Sequence, residues 1–92
     1  MTAPLRRQVA IVNRRGLHAR ASAKFVKLAD SFDAEVRVMK DGQTVGGTSI
    51  MGLMTLAAAP GSTIDLEAEG PQAKEALDAL TKLIEEGFGE TD

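Results

Sequence analysis

The sequence contains no cysteine, tryptophan or tyrosine, and His18 is its single histidine. Without cysteine, the chain can form no disulfide scaffold, no thiol nucleophile and no thiolate metal site. Zinc sites use three or four protein ligands, which one imidazole cannot supply within one chain. We therefore expect a fold held by apolar packing, no metal site, and a reducing cytoplasm as the compartment.

The sequence also lacks a surplus of positive charge and a long apolar run. Eleven basic and thirteen acidic residues give a formal net charge of -2, so nucleic acid is not expected as a partner. A small RNA-binding domain is poorly supported, because only three phenylalanines could stack on bases. The basic residues that such a domain would use are Arg6, Arg7, Arg14 and Arg15. No run approaches the roughly 18 apolar residues of a membrane span, so we expect no membrane insertion.

The composition predicts one small domain over residues 1–92. The chain is 43% hydrophobic and 26% charged, which allows a single core, and it shows no repeat or linker. We expect a frayed tail over about residues 88–92, with Glu90 and Asp92 as solvated charges.

Alternation of apolar and polar residues predicts strands. In the first, Val9 and Ile11 alternate with Gln8 and Ala10. The Asp41-Gly42 pair is a strong hairpin signal, so the second and third strands are expected to be antiparallel neighbours. The four strands are expected at residues 7–12, 33–40, 43–46 and 63–69.

Helical periodicity and end signals predict three helices between these strands. The first covers residues 19–29, the second covers residues 50–56 with Ser49 as a possible N-cap, and the third runs from Pro71 to about residue 86 before Gly87. The order is βαββαβα. Strands with one apolar side predict an α+β fold, in which helices cover one face of an antiparallel sheet.

His18 directly precedes the alanine-rich first helix and follows Gly16, which permits a tight turn. No nucleophile-elbow pattern indicates a catalytic triad. As the N-cap, His18 would lie beside the free amides of Ala19 and Arg20, where the helix dipole favours an anion. The Arg20 guanidinium can pair with phosphate oxygens, and a neutral imidazole is a nucleophile. These features suit phosphoryl transfer to the ring, but the residues alone leave two simpler interpretations open, a structural histidine and a solvated Arg20.

Two segments of the chain resemble a known family. The segment GLHARASAKFVKLA is similar to the active-site segment of HPr, the histidine-containing phosphocarrier protein of the bacterial phosphoenolpyruvate-dependent phosphotransferase system. The segment TSIMGLMTLAAAPGSTIDLEAEG is similar to a second HPr segment, and the resemblance runs nearly end to end. It implies an open-faced β-sandwich with the element order that the periodicity predicts.

The resemblance also implies residue roles and partners. His18 would accept phosphate at Nδ1 from a phosphoenolpyruvate-charged Enzyme I-type protein and pass it to a IIA-type acceptor. Arg20 would be the active-site arginine, and the amides of Ala19 and Arg20 would bind the phosphate. Ser49 corresponds to a serine that HPr kinase/phosphorylase phosphorylates in many members. We expect a monomer without a cofactor.

One residue departs from the family pattern, because many members have proline where this chain has Ala21. Alanine is a strong helix former, so the helix should survive, although its first turn loses a fixed φ angle. The departure leaves two branches open, sugar uptake and nitrogen-related regulation, and we favour the regulatory branch.

The second helix is apolar on more sides than a short helix can bury. Leu53 is expected to pack inward, whereas Ile50, Met51 and Met54 cannot all do so. Exposed methionine suits a surface that meets several partners, and the resemblance implies that this turn docks donor and acceptor. Ser49 keeps two interpretations, a regulatory phosphorylation site and a helix cap.

A second hypothesis for the whole chain is a non-catalytic regulatory module of the same fold, which binds a partner and never carries phosphate. Such a module would keep the apolar turn and tolerate the loss of His18.

Overall fold

The elements follow the predicted order in the computed structural model, which describes residues 3–56 and 58–90. Their bounds are β1 Leu5–Ala10, α1 Ala19–Asp30, β2 Glu35–Lys40, β3 Gln43–Gly46, α2 Ile50–Thr55, β4 Thr63–Glu69 and α3 Ala73–Glu85. A short turn, Gly87–Gly89, follows α3. The α+β class and the order βαββαβα are confirmed.

The strands form one antiparallel sheet in the spatial order β1-β4-β2-β3. The predicted hairpin joins β2 to β3 through Asp41 and Gly42, which have φ angles of 50° and 83°. Positive φ at both positions is what an Asp-Gly hairpin turn requires. The strand that comes last in sequence, β4, lies between β1 and β2, so it joins β1 to the β2–β3 hairpin.

One face of the sheet is buried beneath the helices. Val9 lies opposite Ile64, and Val38 lies opposite Leu66, so these paired residues share a face. All of them are 5% exposed or less, and they join one core with Phe25 of α1 and with the apolar side of α3. Each large apolar side chain buried in this way contributes about 1.5–3 kcal/mol. This face therefore holds the two long helices in place.

The opposite face of the sheet is polar. Arg6, Glu67 and Arg37 lie side by side on β1, β4 and β2. Glu67 pairs with Arg6 at 3.1 Å and with Arg37 at 2.8 Å, and Arg37 also contacts Glu69 at 3.0 Å. The hydrogen bond from Arg37, followed by that from Arg6, holds the pKa of the Glu67 carboxyl below its usual value. With helices on one face only, the expected open-faced β-sandwich is confirmed.

Two strand starts differ from the prediction, and pairing with β4 explains both. Strand β1 lies two residues earlier than residues 7–12, because its register with β4 runs from Leu5 opposite Ala68 to Ala10 opposite Thr63, the first residue of β4. Beyond Ala10, only turn-type backbone bonds between Ile11 and residues 61 and 62 continue the contact. Strand β2 begins at Glu35 instead of residue 33, because its partner Glu69 is the last residue of β4.

Helix α3 also starts later than predicted, at Ala73 instead of Pro71. Gln72 is held outside the helix, since its N–H donates to Asp33 O at 3.0 Å and its Oε1 accepts from Asp33 N–H at 2.7 Å. These two bonds to the loop before β2 determine where the helix can begin.

The prediction of a frayed tail is wrong for residues 88–90, and Thr91 and Asp92 lie outside the described residues. Gly87, with φ of 64°, ends α3 as predicted. Phe88 then enters the core with 1% exposure, and Lys24 of α1 donates to its carbonyl oxygen at 2.7 Å. Burial of an aromatic ring offsets the entropy lost by ordering this short segment.

We expect Phe88→Ala to lower the free energy of unfolding by about 3–5 kcal/mol, because it leaves a cavity in the core. Urea unfolding followed by circular dichroism measures this change. Met51→Ala is the control: its side chain is 72% exposed, so the loss should stay within about 0.5 kcal/mol. A similarly small loss for Phe88→Ala would contradict the packing of the tail.

Candidate functional site

His18 lies where the sequence places it, at the N-cap of α1. Its backbone is extended, with φ of -72° and ψ of 178°, and its side chain forms no cap hydrogen bond. The imidazole is therefore free for other contacts. Only 17% of the side chain is exposed, so the ring is held in the surface and does not project freely into solvent.

The loop before His18 is fixed by a close backbone approach. Gly16 has φ of 63°, and a Cβ at this position would overlap with the carbonyl oxygen of Ala58. The same oxygen accepts the N–H of Leu17 at 3.0 Å. Within the loop, Asn13 Nδ2 donates to Gly16 O at 2.8 Å. Only glycine fits at position 16, and the resulting turn sets the position and direction of His18.

The first turn of α1 presents free amides directly after His18 in the chain. The first helical bond joins Ser22 N–H to His18 O at 2.8 Å, so the N–H groups of Ala19, Arg20 and Ala21 precede the ladder. Free amides and the helix dipole favour an anion here. Proline at position 21 would remove none of these helical bonds, which explains why alanine and proline are both compatible with this turn.

The Arg20 side chain is exposed, and it makes no hydrogen bond or ion pair with any residue in 3–56 and 58–90. It is carried on the same helical turn as His18 but forms no hydrogen bond with the ring in this part of the chain. The guanidinium is therefore available to an incoming group.

The partner of the His18 ring is Glu90, which the sequence analysis placed in a solvated tail. Glu90 Oε2 contacts His18 Nε2, and Glu90 Oε1 accepts from Asn13 Nδ2 at 3.0 Å. The Glu90 side chain is 13% exposed. The hydrogen bond from Asn13, followed by that from His18, holds the pKa of the Glu90 carboxyl below its usual value, although burial opposes the shift.

Helix α2 supplies a different surface. Ser49 is its N-cap, and the Ser49 Oγ accepts the N–H of Gly52 at 3.0 Å, so the cap interpretation is confirmed. Leu53 is fully buried as predicted, whereas Ile50, Met51 and Met54 are 41%, 72% and 41% exposed. We name these three residues the α2 apolar patch. An exposed cluster of this kind is typical of an interaction surface.

The fold brings α2 to the histidine loop by two routes. Helices α1 and α2 pack against each other. In addition, Ala58, which follows α2, accepts the N–H of Leu17, the residue before His18. The candidate site and the α2 apolar patch are therefore parts of one packed region.

Asn13 and Glu90 are the site residues that sequence reasoning missed. Glu90 and His18 are 72 positions apart, so no local spacing relates them. Phe88 is the residue in the sequence that could have indicated an ordered C-terminal segment, because a large apolar side chain is more often buried than solvated. It would have placed the C-terminal segment on the core, although without identifying its contact with His18.

The described residues provide neither a metal-binding cluster nor a membrane-spanning helix. Within 3–56 and 58–90, no group of three or more His, Cys, Asp or Glu side chains could hold a metal ion. In the same part of the chain, no helix has both the length and the apolar character to cross a membrane.

Comparison with known proteins identifies related sequences over nearly the whole chain. Residues 5–86 match the family model described as the PTS HPr component phosphorylation site. The chain is 51% identical to the phosphocarrier protein HPr of Cupriavidus necator over 86 residues, which cover 94% of this chain and 97% of that protein. It is 42% identical to the phosphocarrier protein NPr of Shewanella violacea, with 94% of each chain covered.

Solved structures agree with the fold. The crystal structure of HPr-C-His from Thermoanaerobacter tengcongensis matches with a TM-score of 0.91 and 42% identity, covering 96% of this chain and 99% of that chain. A crystal structure of an HPr dimer from the same organism matches with a TM-score of 0.76 and 45% identity, covering 89% and 94%.

The contact between Glu90 and the site predicts a pH dependence of stability that Glu90→Gln should remove. A carboxyl whose folded pKa is lowered stabilises the fold above its unfolded pKa of about 4.3, and this stabilisation is lost as the pH falls through the folded pKa. At pH 7, the free energy of unfolding should therefore be larger for wild type than for Glu90→Gln. This difference should shrink as the pH falls below the unfolded pKa.

Urea unfolding at a series of pH values measures this difference. Glu86→Gln is the matched control, because Glu86 is exposed and forms no side-chain hydrogen bond in the described part of the chain. A difference between wild type and Glu90→Gln that does not change with pH would contradict the prediction.

Proposed function

The chain belongs to the HPr family of phosphocarrier proteins of the phosphotransferase system, and we propose that His18 is the residue that carries the phosphoryl group. The donor is an Enzyme I-type protein charged by phosphoenolpyruvate, and the acceptor is a IIA-type protein. Family membership implies phosphotransferase-system partners in general, and the donor and acceptor named here are the specific proposal.

The observation that carries this proposal is the setting of the His18 ring. Its Nε2 contacts Glu90, and within residues 3–56 and 58–90 no side-chain hydrogen bond is formed to its Nδ1. His18 is the N-cap of α1, so the free amides of the first helical turn follow it directly, at the helix end where the dipole favours an anion. A nucleophilic nitrogen next to an anion-binding helix end suits a phosphoryl acceptor.

The transfer step needs no cofactor. The Nδ1 lone pair forms the nitrogen–phosphorus bond while the bond from phosphorus to the donor breaks and its electron pair stays with the donor. The amides of Ala19 and Arg20 bind phosphoryl oxygens, and the Arg20 guanidinium turns onto the transferred group. The reverse sequence at the acceptor regenerates the free imidazole.

The α2 apolar patch is proposed to dock both partners, because it is exposed and packed next to the histidine loop. Methionine side chains adapt to partners of different shape. Ser49, the N-cap of α2, is proposed as a regulatory site for an HPr kinase/phosphorylase. We further propose that the carrier works as a monomer in the cytoplasm, and light scattering at working concentrations tests the monomer against the dimeric state described for a relative.

Two branches of the family are candidates, because relatives named HPr and NPr are both similar to this chain. We propose the nitrogen-related regulatory branch on the basis of Ala21. Phosphoryl uptake from a sugar-type Enzyme I, compared with uptake from a nitrogen-type Enzyme I, tests this choice directly.

We expect His18→Ala to abolish phosphoryl uptake and to keep the fold, because its side chain forms no cap hydrogen bond. Mass spectrometry after incubation with Enzyme I and phosphoenolpyruvate should show one acid-labile phosphoryl group on wild type and none on the variant. Thr44→Ala, an exposed change in β3, is the control and should be phosphorylated normally. Acid-labile phosphate on His18→Ala would refute the role of His18, and none on wild type would favour the non-catalytic regulatory module.

We expect Ser49→Asp to slow phosphoryl uptake with little change in melting temperature. Aspartate is itself a good N-cap, and negative charge is tolerated at a helix N-terminus. The charge would border the α2 apolar patch, where a docked partner makes its burial costly. Both the initial rate of uptake from Enzyme I and the melting curve should be measured.

Ser49→Asn is the matched control for this experiment, because asparagine also caps a helix but adds no charge. It should transfer at the wild-type rate. Equal rates for Ser49→Asp and Ser49→Asn would place the docking surface elsewhere and leave Ser49 with only its cap role.

A further inference from the structure

We propose that Glu90 is a positioning residue for phosphoryl transfer: its carboxylate accepts the Nε2–H of His18 and thereby fixes the neutral imidazole in the tautomer whose lone pair lies on Nδ1. This inference rests on the proposed role of His18 as the phosphoryl acceptor, and it assigns a chemical task to the C-terminal segment.

The hydrogen-bond roles around the ring follow from the two partners of Glu90. Asn13 Nδ2 can only donate, so Glu90 Oε1 is the acceptor at 3.0 Å. An ionised carboxylate has no hydrogen to donate, so Nε2 must be the donor to Oε2. The lowered pKa of the Glu90 carboxyl keeps it ionised at neutral pH. In the neutral ring, hydrogen on Nε2 leaves the lone pair on Nδ1.

The backbone conformation of the C-terminal segment places the Glu90 carboxylate next to His18. Residues 87, 88 and 89 have φ angles of 64°, 58° and 75°, so the chain takes three successive residues in the left-handed region. Glycine accepts this conformation without strain, whereas Phe88 does not. Burial of the Phe88 ring and the Lys24 bond to its carbonyl oxygen hold the segment nonetheless. The turn brings Glu90 back to the N-terminal end of α1.

The Asn13 side chain holds Glu90 in place although one of its own polar atoms is left unpaired. It is 5% exposed, and its Nδ2 donates both to Gly16 O and to Glu90. Its Oδ1 is buried and has no partner within the described residues. An unpaired buried acceptor costs stability. The orientation of the Asn13 amide therefore satisfies Gly16 O and Glu90 Oε1, while its own Oδ1 stays without a hydrogen bond.

The fixed tautomer matters for the transfer step. When Nδ1 carries the lone pair, it attacks phosphorus directly, the nitrogen–phosphorus bond forms, and no proton leaves the ring. The other tautomer carries hydrogen on Nδ1 and must lose it before attack. After transfer, Nε2 still holds its hydrogen, and Glu90 continues to accept it on the side of the ring away from the phosphoryl group. The same contact therefore serves the free and the phosphorylated carrier.

Glu90→Gln tests the proposal sharply because glutamine is nearly the same size. Asn13 Nδ2 still needs an acceptor, so the side-chain carbonyl of the introduced glutamine should turn to Asn13 and its NH2 should face His18 Nε2. A donor at that position favours the lone pair on Nε2 and hydrogen on Nδ1. Nitrogen-15 NMR of the unphosphorylated protein, at a pH where the ring is neutral, reads the tautomer directly.

We expect wild type and the control Glu86→Gln to show hydrogen on Nε2, and Glu90→Gln to shift the population toward hydrogen on Nδ1. Phosphoryl uptake by Glu90→Gln should be slower by about tenfold or more, because the wrong tautomer presents no lone pair to phosphorus. Glu86→Gln should transfer at the wild-type rate. A circular dichroism melt confirms that each variant is folded at the temperature used.

An unchanged tautomer in folded Glu90→Gln would overturn the proposal, and so would a shifted tautomer with an unchanged rate of uptake. Because the NMR measurement needs no phosphate, it separates this inference from the proposed function. If wild type holds hydrogen on Nε2 through Glu90 but never accepts phosphate, the proposed function fails and the positioning of the ring by Glu90 still stands.

Discussion

The position of His18 depends on one close contact between two backbone segments. Gly16 lies so near the carbonyl of Ala58 that a side chain at position 16 would overlap with it, and the same carbonyl accepts the N–H of Leu17. This contact fixes the loop before α1, so it decides where the helix begins and which residue becomes its N-cap. It also joins the end of α2 to the histidine loop, and thereby places the α2 apolar patch in the same packed region as the candidate site.

The second determinant of the site comes from the other end of the chain. Phe88 enters the core and Lys24 binds its carbonyl oxygen, so the residues after α3 are ordered against α1. Only with this anchoring can Glu90 reach Asn13 and His18. The histidine is therefore held between an N-terminal loop and a C-terminal turn.

The sheet and the helix ends have separate tasks in this molecule. The buried face of the sheet and the apolar sides of α1 and α3 supply the stability, whereas its open face is covered by paired charges such as Arg37 and Glu67. The proposed chemistry uses none of these groups. It uses the first turn of α1, the exposed side of α2 and residues 87–90. The first turn of α1 offers amides outside the helical hydrogen bonds, and α2 offers apolar side chains outside the core.

The sequence by itself determined the elements and the local site, because both follow from short-range patterns. Alternation of apolar residues in β4, the Asp41-Gly42 turn, and the run from His18 into an alanine-rich helix involve neighbours in the chain, and the structure keeps them. The tertiary structure decided where β1 stops, since its length is set by β4, and where α3 starts, since Gln72 is bound to Asp33. It alone decided the partner of His18. A contact between residues 72 positions apart depends on the packing of Phe88 and on the path of the whole chain, and no periodicity in the sequence encodes that path.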